Sequence, residues 1–119
     1  MSEPSSRDWR LYVQDMITCA TKAQGYIEEL TLATFVESSL HYDATIRNLE
    51  LIGEAATHIP TAIRDQFPQI PWRQMIAMRN RLIHGYLGID DDVIWSVLHD
   101  DLPTLIQQLQ EILATQDTE

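Results

Sequence analysis

Arg79, Asn80, His84 and Tyr86 lie together in the segment RNRLIHGY, and their types and spacing could support chemistry on a phosphate. Arginine carries a permanent positive charge on a planar set of donors that matches phosphate oxygens. Histidine takes up or releases a proton near neutral pH. These two side chains, five positions apart, could therefore cleave a phosphodiester without a metal ion, provided that the fold brings them to one phosphate.

The charge around this segment differs from the charge of the rest of the chain. The 119 residues carry a formal net charge of -10, yet no Asp or Glu occurs between Asp65 and Asp90. Three of the eight basic residues, Arg73, Arg79 and Arg81, fall in this window. We interpret the window as an anion-facing patch, with Arg73 and Arg81 as candidate phosphate contacts. The alternative is that these arginines pair with acids from other helices.

Composition sets limits on the class of protein. The length predicts a single domain over residues 1–119, with frayed polar tails at 1–6 and 115–119. The apolar runs are far shorter than a membrane span, and no signal peptide opens the chain, so we expect a cytoplasmic protein with no membrane contact. The acidity argues against broad, non-specific nucleic-acid binding, although not against a small catalytic pocket. Cys19 lies on an apolar helical stripe, and we interpret it as a buried small hydrophobe.

Other patterns with possible chemistry fail on their spacing. His41, His58 and His99 are scattered and lack paired metal-ligand spacing. The run Asp90-Asp91-Asp92 lacks the spacing of a calcium loop and is better interpreted as the start of a helix. A glycine-rich phosphate loop is absent from the sequence. We therefore expect neither a metal nor a cofactor.

Apolar residues recur at helical spacing along the chain and predict an all-α fold. Small residues at Gly53, Ala55 and Ala56 would let a neighbouring helix approach closely, and Gly85 suits the left-handed position just past a helix end. Pro103 should mark a kink or a fresh start in the last helical run. The fold class is a four-helix-type up-down bundle with short additional helices. The predicted helices cover residues 8–29, 32–37 after a Thr31 cap, 39–58, 61–67, 71–84 and a last run after Asp92.

The spacing of Arg79 and His84 raises a geometric difficulty. Five residues place them about 140° apart around a straight helix, so one continuous helix would not aim both at one phosphate. The helix could end at His84, or a two-fold dimer could bring two copies of the motif face to face. In the dimer one histidine would take the proton of a ribose 2′-OH while its mate protonates the leaving oxygen. The arginines would stabilise the charge on phosphorus, and the products would be a 2′,3′-cyclic phosphate and a 5′-hydroxyl.

The pattern Arg79-x4-His84-x-Tyr86, with the polar Asn80 directly after the arginine, resembles the motif of the HEPN superfamily and specifically of its HepT-like toxins. The likeness extends over roughly residues 8–113. It is carried further by the segments NLELIGEAA at 48–56, IPWR at 70–73 and RLIHGY at 81–86.

The resemblance implies a HEPN-like two-fold dimer and a metal-independent endoribonuclease that acts as the toxin of a type VII-like toxin–antitoxin pair on tRNA or mRNA. Arg79 and His84 would be catalytic and Asn80 would support them. The resemblance further implies a partner antitoxin, a minimal nucleotidyltransferase of the MntA type, which would transfer AMP from ATP to Tyr86. The added nucleotide would block RNA by its bulk and its charge.

Structural interpretations of the same residues stay open at this stage. Arg79 could be a buried ion-pair partner of Glu50 or Glu54. His84 could cap a helix C-terminus, and Tyr86 could be a half-buried aromatic. The alternative function is a non-catalytic helical binding module that docks a nucleotidyltransferase. A third possibility is that AMP transfer to Tyr86 is the main biological event.

Overall fold

The structure is a computed structural model, and it describes residues 8–85 and 89–117, with side chains to residue 115. These ranges contain helices and no strand, so the predicted all-α class is confirmed. The helices are α1 (Trp9–Tyr26), α2 (Leu32–Glu37), α3 (Ser39–Thr57), α4 (Thr61–Gln66), α5 (Trp72–Ile83), α6 (Asp91–Ser96) and α7 (Leu102–Asp117). Helices α6 and α7 are joined by a π-helical turn at Val97–Asp101, which we call the π turn.

The four long helices pack as a bundle organised around α3. Helix α1 packs on α3 and on α7, whereas α5 packs principally on α3. Trp72 is the one buried residue of α5, and the other residues of this helix are partly buried or exposed. None of the described helices combines the length and apolar character needed to cross a lipid bilayer. The largest buried side chains include Met16, Phe35, Ile59, Ile70, Ile94, Leu98, Leu109 and Ile112.

Side-chain caps start several helices where the sequence predicted them. Thr31 accepts a hydrogen bond from the N–H of Thr34, and the Thr34 hydroxyl accepts one from the N–H of Thr31, which forms a capping box before α2. Asp90 accepts from the N–H of Asp92 at the start of α6. The interpretation of the acidic run as a helix cap is therefore confirmed, since carboxylates complement the positive end of a helix.

The C-terminal helical run agrees with the predicted kink or fresh start near Pro103. Helix α6 leads into the π turn, in which the N–H of Leu102 bonds to the carbonyl of Val97, and α7 begins at Leu102. In an α-helix a proline ring clashes with the carbonyl four residues earlier, and the wider turn gives the ring of Pro103 room. Residues 115–117, which we predicted as a frayed tail, continue α7 as helix.

Two details of α1 also differ from the prediction. The helix ends at Tyr26 rather than near residue 29, just after Gly25, a residue type that weakens a helix. Cys19 is partly exposed, and its neighbour Ala20 takes the fully buried position. Cys19 is therefore not the buried hydrophobe that we predicted, although partial burial still raises the pKa of its thiol.

Candidate active site

A close contact between α3 and α5 at Gly53 positions the motif. A Cβ built on Gly53 would lie 2.2 Å from the Cβ of Arg79 and 2.6 Å from the carbonyl oxygen of Met75. Real Cβ atoms do not approach other heavy atoms so closely, and any side chain at position 53 would force the helices apart. The predicted close approach of a neighbouring helix at this small residue is confirmed. The turn of α5 that packs against Gly53 is the turn that carries Arg79.

The guanidinium of Arg79 is held at both terminal nitrogens. Nη2 donates to Oε1 of Glu54 at 2.5 Å, and Nη1 donates to Oδ1 of Asn80 at 2.8 Å. The structure thus contains the ion pair with Glu54 that was one of the structural interpretations of Arg79. It also brings Asn80 onto the guanidinium, where the amide oxygen restricts its rotation.

The Nε of Arg79 is buried without a hydrogen-bond partner among the described residues. Leaving a buried donor unsatisfied costs about 1–3 kcal/mol, and such groups are rare in folded proteins. The side chain of Arg79 keeps 29% of its surface exposed. Arg79 therefore combines a buried Nε with a part of its side chain that remains accessible to solvent.

Glu54 connects Arg79 to an aromatic pair at the end of α3. Its Oε2 lies 3.4 Å from Nε2 of His58, and the ring of His58 stacks on Tyr12 of α1 with centroids 4.7 Å apart. Because Glu54 is 46% exposed, these ion pairs contribute little to stability. Their effect is to fix the carboxylate and therefore the direction of Arg79. Sequence analysis considered His58 only as a scattered histidine and did not connect it with Tyr12, because no local pattern links the two residues.

His84 is the C-cap residue of α5, so the helix ends where the sequence predicted. Its N–H bonds to the carbonyls of Asn80 and Leu82, and Gly85 follows with a φ of +22°, close to the left-handed region that glycine tolerates. The side chain of His84 is exposed, whereas Arg79 faces α3. His84 is therefore a C-cap residue, as one structural interpretation held. The helix also ends at His84, which was one of the two ways in which Arg79 and His84 could be brought to one phosphate.

The outward face of α5 carries the remaining polar residues of the motif. Arg73, Ala77, Asn80 and His84 are all exposed and follow one another at spacings of four, three and four, which places them on one side of the helix. Arg81 is exposed beside them. Since α5 contains no Asp or Glu, this side of the helix is locally cationic on a strongly acidic chain.

Tyr42 of α3 contacts the start of α6. The hydroxyl of Tyr42 donates to Oδ1 of Asp91 at 2.7 Å, which holds the first turn of α6 against α3. Burial and this hydrogen bond raise the pKa of Tyr42 to about 12. Tyr86, the predicted modification site, lies outside the described residues. Within the described part of the chain, His, Cys, Asp and Glu side chains form no group of three that could hold a metal ion.

Comparison with known proteins points to one family. A family model described as "Ribonuclease HepT-like" matches residues 16–112. "Putative RNase MJ1380" from Methanocaldococcus jannaschii is 32% identical over 106 residues, which cover 89% of this chain and 97% of that protein. "Probable ribonuclease HepT" from Thermococcus cleftensis is 33% identical over 106 residues, 89% of this chain and 96% of that protein. No solved structure gives a significant match.

The family match covers most of the chain, including the contact at Gly53, the Arg79 cluster and the helix end at His84. It agrees with the all-helical fold and with the motif from which the resemblance was inferred. The chain belongs to the HepT-like family of the HEPN superfamily.

Proposed function

We propose that this protein is a metal-independent endoribonuclease in which Arg79 and His84 cleave RNA at the cleft of a two-fold homodimer. The observation that carries the proposal is the fixed guanidinium of Arg79, held by Glu54 and Asn80 on the helix that ends at His84. The family match, and the naming of relatives as RNases, support the class of reaction.

The role of Arg79 is to bind the phosphate and stabilise the charge that develops on it. A guanidinium has five N–H donors, and the bonds to Glu54 and Asn80 use one on each terminal nitrogen. One further N–H on each of these nitrogens is then available to a phosphate oxygen. Because the group is already oriented, little reorganisation is needed when the transition state forms.

The role of His84 is proton transfer, and the proposal assigns it to a pair of histidines. One His84 removes the proton of the ribose 2′-OH, and the oxygen attacks phosphorus. The His84 of the second copy donates a proton to the departing 5′-oxygen, so that a 2′,3′-cyclic phosphate and a 5′-hydroxyl result. The exposed C-terminal part of α5, which carries Asn80 and His84, supports a two-fold approach of two such helices at that end, away from Arg73 at the start of the helix.

The proposal includes regulation by a nucleotidyltransferase antitoxin in a toxin–antitoxin pair. The partner would transfer AMP from ATP to the hydroxyl of Tyr86 and release pyrophosphate. Tyr86 follows His84 by two positions, so the attached nucleotide stays within reach of the cleft. Its bulk and negative charge would exclude an RNA phosphate from the site. The cellular substrate in this proposal is tRNA or mRNA.

The direct test compares RNA cleavage by the purified protein and two variants in the presence of EDTA. We expect His84→Gln and Arg79→Gln each to lose at least about a hundredfold in kcat, as removal of a general acid–base or of an oxyanion contact does. Lys22→Gln is the charge-matched control, because Lys22 is exposed on α1, and it should retain full activity. Full cleavage by His84→Gln would refute the proposal.

A second function is favoured by the ion pair itself. Because Glu54 and Asn80 already engage Arg79, the chain suits a non-catalytic helical module that docks a nucleotidyltransferase. Protein shown by intact mass to be unmodified, yet unable to cut RNA while forming a stable complex with such a partner, would favour this function. A mass gain with partner and ATP that Tyr86→Phe abolishes would separately establish the modification.

A further inference from the structure

Two open grooves flank α5, and they differ in charge. One, of about 460 Å³, lies between α5, α3, the π turn and α7, and its lining combines apolar and uncharged polar side chains with the carboxylates of Asp100 and Asp101. The other, of about 470 Å³, lies at the junction of α4 and α5 and is lined by Arg64, Asp65 and Arg73 among others. Carboxylates repel a phosphate and arginines attract it, so the second groove is the one suited to RNA.

We propose that this second groove, which we call the Arg64–Arg73 groove, binds a backbone phosphate of single-stranded RNA a few nucleotides from the bond that is cut. The inference rests on the proposed ribonuclease function and adds a second point of contact for the same substrate. Sequence analysis suggested Arg73 as a phosphate contact but did not single out Arg64, which precedes the acid-free window.

Arg64 is held in a conformation that leaves its donors available. Its Nε donates to the carbonyl oxygen of Ile59 at 3.1 Å, and the side chain is partly buried. This bond uses one of the five N–H donors of the guanidinium. The terminal nitrogens make no hydrogen bond or ion pair with any described residue. A guanidinium that is fixed at one end and open at the other loses less entropy when it binds a phosphate.

Arg73 supplies the second charge of the groove and connects it to the active site. It is exposed, and it has no hydrogen bond or ion pair within the described part of the chain. Eleven residues along α5 separate Arg73 from His84, which corresponds to about 16 Å at 1.5 Å per residue. A stacked strand with a rise of about 3.4 Å per nucleotide covers that distance in about five nucleotides. One short RNA strand can therefore contact His84 and the groove together.

The charge balance of the groove makes it a local site on an acidic protein. Asp65 is the one carboxylate among its lining residues, against the two guanidinium groups of Arg64 and Arg73. The whole chain, by contrast, carries a net charge of -10, which repels RNA at long range. RNA affinity must then come from a small number of directed contacts, and losing one of them should have a large effect.

Binding of an uncleavable RNA tests the groove independently of catalysis. The probe is a fluorescent 12-nucleotide RNA with 2′-O-methyl groups at every position, and the readout is fluorescence anisotropy against salt concentration. We expect Arg64→Gln and Arg73→Gln each to weaken binding about tenfold, the range for a hydrogen bond to a charged group. The slope of log Kd against log salt should fall by about 0.7 for each lost phosphate contact. Lys22→Gln should change neither quantity.

Cleavage assays separate failure of the groove from failure of the proposed function. Compared with the wild type, Arg73→Gln should show a raised KM for RNA. The increase should be larger for a 12-nucleotide RNA than for a trinucleotide, which ends before the groove. Arginine-dependent binding without any cleavage would support the groove and reject the nuclease. If the wild type cleaves RNA but Arg64→Gln and Arg73→Gln both bind the probe as tightly as Lys22→Gln does, the groove proposal is wrong and the nuclease proposal is unaffected.

Unfolding of a variant can be distinguished from loss of RNA binding. Arg64→Gln removes the bond to Ile59, so its thermal unfolding has to be measured beside the wild type. Arg73→Gln removes an exposed side chain with no partner among the described residues, and we expect its stability to equal that of the wild type. If Arg73→Gln binds the probe as the wild type does, the inference is wrong whatever Arg64→Gln does.

Discussion

The Cβ of Arg79 lies 2.2 Å from the place that a Cβ of Gly53 would take. Glycine at position 53 thus determines how near α5 comes to α3, and the next residue, Glu54, receives the guanidinium of Arg79. Two adjacent residues of α3 therefore set the position and the direction of the candidate phosphate-binding group. The geometry of the site therefore depends directly on the close contact between α3 and α5.

Gly53→Ala should destabilise the protein and displace Arg79 together. The added methyl would overlap the side chain of Arg79 and the backbone of Met75, and overpacking of this kind costs about 1–3 kcal/mol. Urea unfolding followed by circular dichroism measures the change.

The control for this variant is Gly25→Ala in the last turn of α1. A Cβ at Gly25 meets nothing within 4 Å, and alanine is the better helix former, so stability should rise by up to about 1 kcal/mol. Equal effects of the two substitutions would mean that helix propensity, and not the contact with Arg79, determines the result at position 53.

Glu54→Gln should reduce kcat about tenfold without raising KM. Glutamine keeps an acceptor oxygen for Arg79 but loses the charge-assisted bond, so the guanidinium is less well oriented while its charge for phosphate is undiminished. The pair is too exposed for the free energy of unfolding to change by more than about 1 kcal/mol. Steady-state kinetics on RNA, with urea unfolding in parallel, measures both effects.

Glu50→Gln is the matched control on the same helix. The carboxylate of Glu50 pairs with the exposed Arg47 at 3.4 Å and not with Arg79, and its removal should leave kcat as it is. A rise in KM with unchanged kcat in Glu54→Gln would contradict the orienting role.

The fold was largely predictable because its determinants are local. Apolar periodicity predicted the helices. Helix ends depend on a few neighbouring residues, and Thr31, Asp90 and Gly85 indicated the start of α2, the start of α6 and the end of α5. The π turn was not predictable, since it depends on how the ring of Pro103 is accommodated within an otherwise continuous packed helix. The sequence indicated a kink or a fresh start there, but it did not indicate that the irregularity would be a π turn.

Contacts of the site that lie within the contiguous motif could be predicted from the sequence, whereas most contacts between separate helices could not. The sequence suggested Glu50 or Glu54 as a partner of Arg79, of which the structure shows Glu54, and it suggested Asn80 as an orienting residue. The stack of His58 on Tyr12 and the groove of Arg64 and Arg73 depend on how helices cross. Periodicity within one helix carries no information on such crossings.

Tyr42→Phe should remove a pH-dependent part of the stability. Loss of the hydrogen bond to Asp91 costs about 1 kcal/mol at neutral pH. The folded state raises the pKa of Tyr42 from 10.0 to about 12, so the contribution is complete below pH 10 and is lost as the pH rises through about 12. Urea unfolding at pH 9 and pH 11.5 should show a smaller difference between wild type and variant at the higher pH. A constant difference would contradict the assigned bond.

The chemistry at Arg79 and His84 is tested most directly by the ends of the RNA products. Mass spectrometry of a defined oligonucleotide cut by the wild-type protein in EDTA reports those ends in one measurement. Transfer of the 2′-OH proton to His84 requires a 2′,3′-cyclic phosphate on one fragment and a 5′-hydroxyl on the other, and a deoxyribose at the cut position should prevent the reaction. Fragments with a 3′-hydroxyl and a 5′-phosphate would contradict the account.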